Sequence, residues 1–297
     1  MSAVRTPTLS TALPQVEGIA FVRAPRTGGD VATLKLKDPN VLGIKIDASS
    51  VYVEEATTGT VLLEHKADEA RPIASITKLI SALVFLDHQI PWDQEMAYAA
   101  ADRRGGGKIG FGLGERIVMR DIFIGSLANS ANNATAMLAR ATGLSEEQFV
   151  AAMNAKAQTL GLEKAHFVEP TGLDPGNVAS ARDIVKLAQH AFANEDIHDA
   201  LTRWRYIIAV TSPDGSTSRN IQIKNTNYLL DSFLNKDPYA FIGGKTGFID
   251  EAGWCIVGEV EGKDGRRVTG VVLGAGNMDA RFTELKKALW WAFEQYH

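Results

Sequence analysis

Three short patterns follow one another along the chain: Ser75-Ile76-Thr77-Lys78, then Ser130-Ala131-Asn132, then Lys245-Thr246-Gly247. Each alone is common, but for this composition the ordered trio is roughly a one-in-a-hundred accident. The residue types suit nucleophilic acyl transfer. A serine hydroxyl needs a base, and positions i and i+3 share a helix face, so Lys78 stands over Ser75 within reach of its proton. A lysine acts as a base near neutrality only if burial and neighbouring cations lower its pKa, and Lys245 is a candidate for such a cation. At the start of a helix Ser75 would also have free backbone N–H groups to favour negative charge on an attacked carbonyl, its own amide being one oxyanion donor. Ser218-Arg219-Asn220 repeats the second pattern, but in a Ser/Thr/Gly-rich turn region entering a strand. Ser130, between two helical segments, is the better candidate.

Other chemistries lack their parts. Gly105-x-Gly107-x-x-Gly110 has the letters of a dinucleotide fingerprint, yet Asp102-Arg103-Arg104 precedes it instead of a strand and no helix is expected after it. Gly244-Lys245-Thr246 resembles the tail of a P-loop, but Tyr239 occupies the place of that motif's first glycine. The six histidines form no i, i+4 pair, so no metal site is expected. No Gly-x-Ser-x-Gly elbow occurs, which argues against an α/β-hydrolase triad.

The elements that must position these residues read as sheet, helices, sheet, helix. Residues 1–42, with Pro7, Pro14, Pro25 and Pro39 and little apolar periodicity, are expected to form an extended arm. From Gly43 the pattern sharpens into a hairpin, Val51 to Glu55 and Thr60 to Leu63 around Thr57-Thr58-Gly59. The stretch from Ser75 to Leu86 is apolar all round, which predicts a buried helix. Helical patterns then run to about Trp204, including Ser145 to Leu160 with Ser145 as N-cap and Gln148 at the reciprocal capping position. Strands are predicted at Tyr206 to Val210, Asn220 to Ile223, Gly243 to Ile249, Cys255 to Val260 and Val268 to Leu273, before a closing helix from Met278 to Tyr296. The order predicts an α/β fold with an antiparallel sheet built from both chain ends and a mostly helical insertion over roughly 90–204.

Composition sets outer bounds. Length 297, 45% hydrophobic and 22% charged residues describe a folded protein with a sizeable core. A net charge of −4 without a basic run excludes a nucleic-acid partner. The single cysteine, Cys255, can form no internal disulfide and is expected to be a buried structural thiol. No segment approaches the roughly 18 to 20 apolar residues of a membrane span, and Met1 to Leu13 has no apolar core of a leader, so neither a membrane anchor nor an export signal is expected within this chain.

The three patterns together resemble the signature of penicillin-binding proteins and class A β-lactamases. More broadly, the chain from about Gly43 to His297 resembles the low-molecular-mass penicillin-binding proteins that act as D-alanyl-D-alanine carboxypeptidases. The likeness is strongest in Arg71 to Lys78, Asn129 to Ala134, Glu169-Pro170-Thr171-Gly172-Leu173 and Gly244 to Phe248, with Asn225 to Leu230 also similar. The resemblance implies a β-lactamase/transpeptidase-like fold, with residues 43–297 as the peptidase domain. It implies Ser75 as nucleophile, Lys78 as base and Ser130 as proton donor to the departing D-alanine. Asn132 would bind a substrate carbonyl, Lys245 and Thr246 the terminal carboxylate, the Phe248 amide would complete the oxyanion hole, and Gly247 would leave room for substrate.

No cofactor is implied. The expected partners are the peptidoglycan stem peptide and β-lactams as covalent inhibitors, and the expected location is outside the cytoplasmic membrane. A DD-endopeptidase cutting cross-links and a non-catalytic penicillin-binding sensor are the alternatives. Two departures stand out. Asn133 replaces an aspartate common among relatives, and with about fifty residues following Lys245 the C-terminal β-rich domain of many carboxypeptidases is not expected within this chain. Glu169-Pro170 superficially resembles the acidic loop with which class A β-lactamases activate water, but its spacing to Leu173-Asp174 is that of the carboxypeptidases, so Glu169 is expected to be structural.

Overall fold

A computed structural model describes residues 20–22, 37–38 and 43–296. Five strands make the main antiparallel sheet: β1 (Ser50–Glu55), β2 (Val61–His65), β3 (Ala240–Ile249), β4 (Gly253–Glu261) and β5 (Arg267–Ala275). Their order is β3-β4-β5-β1-β2, so the two chain ends meet where β5 pairs with β1, Val271 opposite Tyr52 and Val272 opposite Val51. Strands covered on both faces read as near-continuous apolar runs, with alternate residues facing opposite layers. Here Cys255, Val257, Val271 and Leu273 join the core beneath the helices, while Ile256, Val260, Val268 and Val272 join a second core under the C-terminal helix.

The described residues hold seven α-helices, α1 (Lys78–Asp87), α2 (Met119–Leu127), α3 (Asn132–Ala141), α4 (Glu146–Thr159), α5 (Ala181–Phe192), α6 (Glu195–Leu201) and α7 (Met278–Gln295), of which α5, α6 and α7 pack against the main sheet. As its sequence predicts, α1 is central, with every residue from Lys78 to Phe85 buried. The predicted capping box of α4 forms, Gln148 N donating to Ser145 Oγ at 3.2 Å and Ser145 N to Gln148 Oε1 at 2.9 Å.

The middle section differs from its expected texture. Glu95–Ala97 pairs with Arg116–Val118, and these join Arg205–Thr211 and Ser218–Lys224 in a separate four-stranded sheet. The predicted strands at Tyr206 to Val210 and Asn220 to Ile223 therefore form, but outside the main sheet. Their pattern gives the reason: Ile208 and Val210 are buried while Ile207 and Ala209 are exposed, the alternation of a sheet packed on one face only. Of the arm expected over residues 1–42, Ala20–Val22 pairs antiparallel with Ile44–Ile46, and apart from 37–38 the rest lies outside the described residues.

Candidate active site

The chain enters α1 through a 3₁₀ turn, Ala74–Thr77, and in that tighter winding residues three apart eclipse one another. Lys78 Nζ consequently lies 2.9 Å from Ser75 Oγ. Ser75 is half-buried, whereas Lys78 is completely buried. Its amino group meets two fixed acceptors, Asn132 Oδ1 at 2.6 Å and the Thr171 carbonyl at 2.5 Å. A neutral amine has two N–H donors and one lone pair. With both donors spent on carbonyl oxygens, the lone pair faces the Ser75 hydroxyl. Burial pushes the Lys78 pKa down to about 7, against an opposing pull from Glu169. Of the two causes expected from the sequence, burial and a neighbouring cation such as Lys245, burial is the one that acts on Lys78. The repulsion appears at Lys245, which is held well below the usual lysine range by its own burial first and then by the charges of Lys78 and Arg281.

Ser130 links α2 to α3 with φ of 57°, a left-handed conformation that a non-glycine residue holds at a cost and that clusters at functional sites. Its hydroxyl accepts a hydrogen bond from Lys245 Nζ at 2.7 Å, and Lys245 also donates to the Thr246 carbonyl at 2.9 Å. Asn132 opens α3, and while its Oδ1 accepts from Lys78, its Nδ2 donates to Gly105 O at 2.8 Å. The glycine-rich segment dismissed as a nucleotide fingerprint is thus a wall of this site, with Asn132 N also donating to Gly107 O at 2.7 Å. Asn133 pins the same wall, accepting from Ile109 N at 3.1 Å and donating to Ile109 O at 2.9 Å. An amide can do both and an ionised aspartate cannot, so the departure at position 133 is locally satisfied.

Two glycines let backbone close on the nucleophile. A Cβ on Gly247 of β3 would sit 3.1 Å from Ser75 N, and one on Gly172, whose φ is 84°, would sit 2.1 Å from Ala74 O. Thr246 Oγ1 lies 2.6 Å from Thr226 Oγ1, and the exposed ring of Phe248 stacks on Trp254 with centroids 4.0 Å apart. Behind β3, Arg281 of α7 donates to Gly247 O at 3.2 Å, and burial lowers its pKa to about 10. Glu169 faces inward on its own loop. Its Oε2 accepts from Thr171 N (2.7 Å) and Thr171 Oγ1 (2.6 Å), and its Oε1 from Gly172 N, Leu173 N (2.9 Å) and Asn177 Nδ2 (2.8 Å).

The structure therefore gathers Ser75, Lys78, Ser130, Asn132, Lys245, Thr246 and Gly247 at one place, with Phe248 at its rim. Sequence reasoning missed the roles of Thr171, Thr226 and Arg281. Thr171 acts through its carbonyl, which has no side-chain signature, while Thr226 stands 20 residues from its partner Thr246 and Arg281 34 residues from its partner Gly247, contacts that only folding makes. The run Glu169 to Leu173 was the available signal.

Such a site, a serine served by a buried lysine at the edge of an antiparallel sheet, defines a lysine-assisted serine acyl-transfer enzyme. Residues 35–277 match the D-alanyl-D-alanine carboxypeptidase family of peptidases, and the chain belongs to that family. The crystal structure of a Streptomyces DD-transpeptidase superposes with a TM-score of 0.80 at 27% identity, covering 86% of this chain and 100% of that one. A D-alanyl-D-alanine endopeptidase of Pseudomonas aeruginosa is 34% identical over 215 residues, 72% of this chain and 67% of that protein. The D-alanyl-D-alanine carboxypeptidase DacC of Escherichia coli is 31% identical over 262 residues, 84% of this chain and 62% of that protein. The chain thus spans about two thirds of the length of these curated relatives. The expected fold and the serine-peptidase class are both borne out. No helix among the described residues is long and apolar enough to cross a membrane.

Proposed function

We propose that residues 43–297 form a DD-peptidase domain that removes the C-terminal D-alanine from cell-wall stem peptides outside the cytoplasmic membrane. Ser75 Oγ attacks the carbonyl before the terminal residue while Lys78 takes its proton. The observation that carries this reading is the buried Lys78 amine, held by two carbonyl oxygens with its remaining valence toward Ser75 and its pKa near neutrality. The Ser75 and Phe248 amides receive the oxyanion. Ser130, polarised by Lys245, passes a proton to the departing amine, and Lys245 with Thr246 holds the terminal carboxylate. Asn132 has a second N–H for a substrate carbonyl beyond the one given to Gly105. Water then resolves the ester.

Incubation with a fluorescent penicillin and with a peptide ending in D-Ala-D-Ala tests the assignment. The expected result is a covalent adduct on Ser75 and steady release of D-alanine, both abolished in a folded Ser75→Ala protein. Labelling that survives that substitution overturns the assignment, and an adduct without any peptide turnover makes the protein a penicillin-binding sensor. A second reading, cleavage of peptide cross-links, is favoured by the likeness to the Pseudomonas endopeptidase. Cross-linked and linear muropeptides as competing substrates separate the two.

A further inference from the structure

Helix α3 carries Asn132 at its start and grips the wall of the site at both of its ends. In its first turn Asn133 accepts from Ile109 N at 3.1 Å and donates to Ile109 O at 2.9 Å. In its last turn Arg140 forks onto Asp102, Nε to Oδ1 at 2.7 Å and Nη2 to Oδ2 at 2.7 Å, and Nη2 also donates to Ala97 O at 2.8 Å. Asp102 is 1% exposed, and its Oδ2 accepts from Ala99 N at 2.7 Å as well. Between these two anchors the chain over 103–108 is exposed apart from half-buried Arg104, and it contains Gly105, Gly106 and Gly107 in succession. This strap has slack, because the seven steps from Asp102 to Ile109 can span roughly 24 Å whereas the seven helical steps from Asn133 to Arg140 cover about 10 Å. It bows over Asn132, whose Nδ2 donates to Gly105 O at 2.8 Å and whose backbone N–H donates to Gly107 O at 2.7 Å.

We propose that Asp102 and Arg140 are positioning residues for acylation: their ion pair fixes the glycine strap so that its Gly105 carbonyl aims the Asn132 amide at the substrate. The proposal rests on the role given to Asn132 in the DD-peptidase reading and extends it to two residues that touch no substrate. The Lys78 amine holds the oxygen end of the Asn132 amide at 2.6 Å, and the Gly105 carbonyl holds its nitrogen end. Held at both ends, the amide plane cannot turn, and its second N–H points in one direction. Held by Lys78 alone, the plane turns about that contact and the second N–H is no longer aimed. Three consecutive glycines have more backbone freedom than any other residues, so the Gly105 carbonyl stays in place only if the strap is anchored close by. Asp102 lies three residues away, and a fork of two parallel N–H···O bonds fixes direction as well as distance. The other ion pair on the strap, Arg104 to Glu146 of α4 at 2.7 Å, has side chains 25% and 52% exposed and is screened by solvent.

The test compares acylation of Ser75 in the full chain by two lactams. Benzylpenicillin offers a side-chain amide carbonyl to the second N–H of Asn132, and 6-aminopenicillanic acid has a bare amine in its place. The ratio of their second-order acylation rates reads the Asn132 contact, because a defect at Ser75 or Lys78, or partial unfolding, slows both lactams together. Asp102→Ala is expected to lower that ratio roughly three- to tenfold, the loss of one hydrogen bond. Asp102→Asn combined with Arg140→Gln is expected to do the same, and it removes both charges without leaving one of them buried and unpaired, so it carries the test if thermal melts show Asp102→Ala unfolded. Asn132→Ala should lower the ratio by a similar factor, and Asn132→Ala combined with Asp102→Ala no further, since the anchor acts through that amide. A wild-type ratio in both Asp102 variants, or a further fall in the combined Asn132 and Asp102 variant, overturns the proposal and leaves the peptidase reading intact. A ratio unchanged in Asn132→Ala removes the substrate contact given to Asn132, and this proposal with it. Failure of the wild type to be acylated at Ser75 by either lactam overturns the peptidase reading itself.

Discussion

Replacing Glu169 by glutamine separates a structural carboxylate from a catalytic one. In the structure both carboxylate oxygens are spent on five donors of the loop that delivers the Thr171 carbonyl to Lys78. An amide supplies one acceptor oxygen and an NH₂ group that can only donate. Turned toward Thr171, its NH₂ leaves the Thr171 N–H without a partner, and turned the other way it orphans the amides of Gly172 and Leu173. A buried donor left unsatisfied costs about 1–3 kcal/mol. For a domain of this size that lowers Tm by about 2–10 °C. The substitution also removes an anion that favours the protonated form of Lys78. The amine then loses its proton more readily, so the pH at which penicillin acylation reaches half its plateau moves from about 7 to a lower value. Stopped-flow acylation from pH 5 to 9, with mass measurement of adduct decay, reads both effects. Release of the penicilloyl group should change less than tenfold. Rapid penicillin hydrolysis by the wild type that is lost in Glu169→Gln, or a half-plateau pH that moves upward, would refute the reasoning and make Glu169 the base for a deacylating water.

Gly172→Ala should be more disruptive than its single methyl suggests, because the new Cβ would lie 2.1 Å from Ala74 O in a backbone whose φ is 84°. Acylation is expected to fall at least tenfold with a stability loss on the order of 1–3 kcal/mol, and wild-type acylation would show that the loop does not brace the nucleophile. Lys78→Met tests the lysine through stability as well as rate. The unfolded chain keeps its proton to about 10.5 while the folded chain releases it at about 7, so the unfolded state binds more protons between these values and stability rises with pH across that window. Denaturant titrations at pH 7 and pH 10 should show that rise diminished in Lys78→Met, and an identical rise in both proteins would place the Lys78 titration elsewhere.

Much of this arrangement was legible before folding because it is local. Ser75 and Lys78 are three residues apart, and β1–β2 and the cap at Ser145 are set by short-range pattern. The main sheet followed from apolar runs in β3 to β5 that are covered on both faces. What escaped is non-local or lies in the backbone. The pairing of Arg116 with Thr211 that makes the second sheet spans nearly a hundred residues, and no side-chain pattern announces it. The Thr171 carbonyl, the left-handed Ser130 and the glycine-rich wall at Gly105 to Gly110 act through main-chain geometry, which a side-chain alphabet encodes only weakly.

The central claim is that Ser75 is acylated with neutral Lys78 as its base. It is tested most directly by measuring the rate of penicillin adduct formation from pH 5 to 9, with the modified residue located by peptide mass mapping. The account predicts a single adduct at Ser75 whose formation rises through an ionisation near pH 7 and is lost in Lys78→Met. An adduct on another residue, or a rate at Ser75 that stays flat across this range and survives in Lys78→Met, would contradict it.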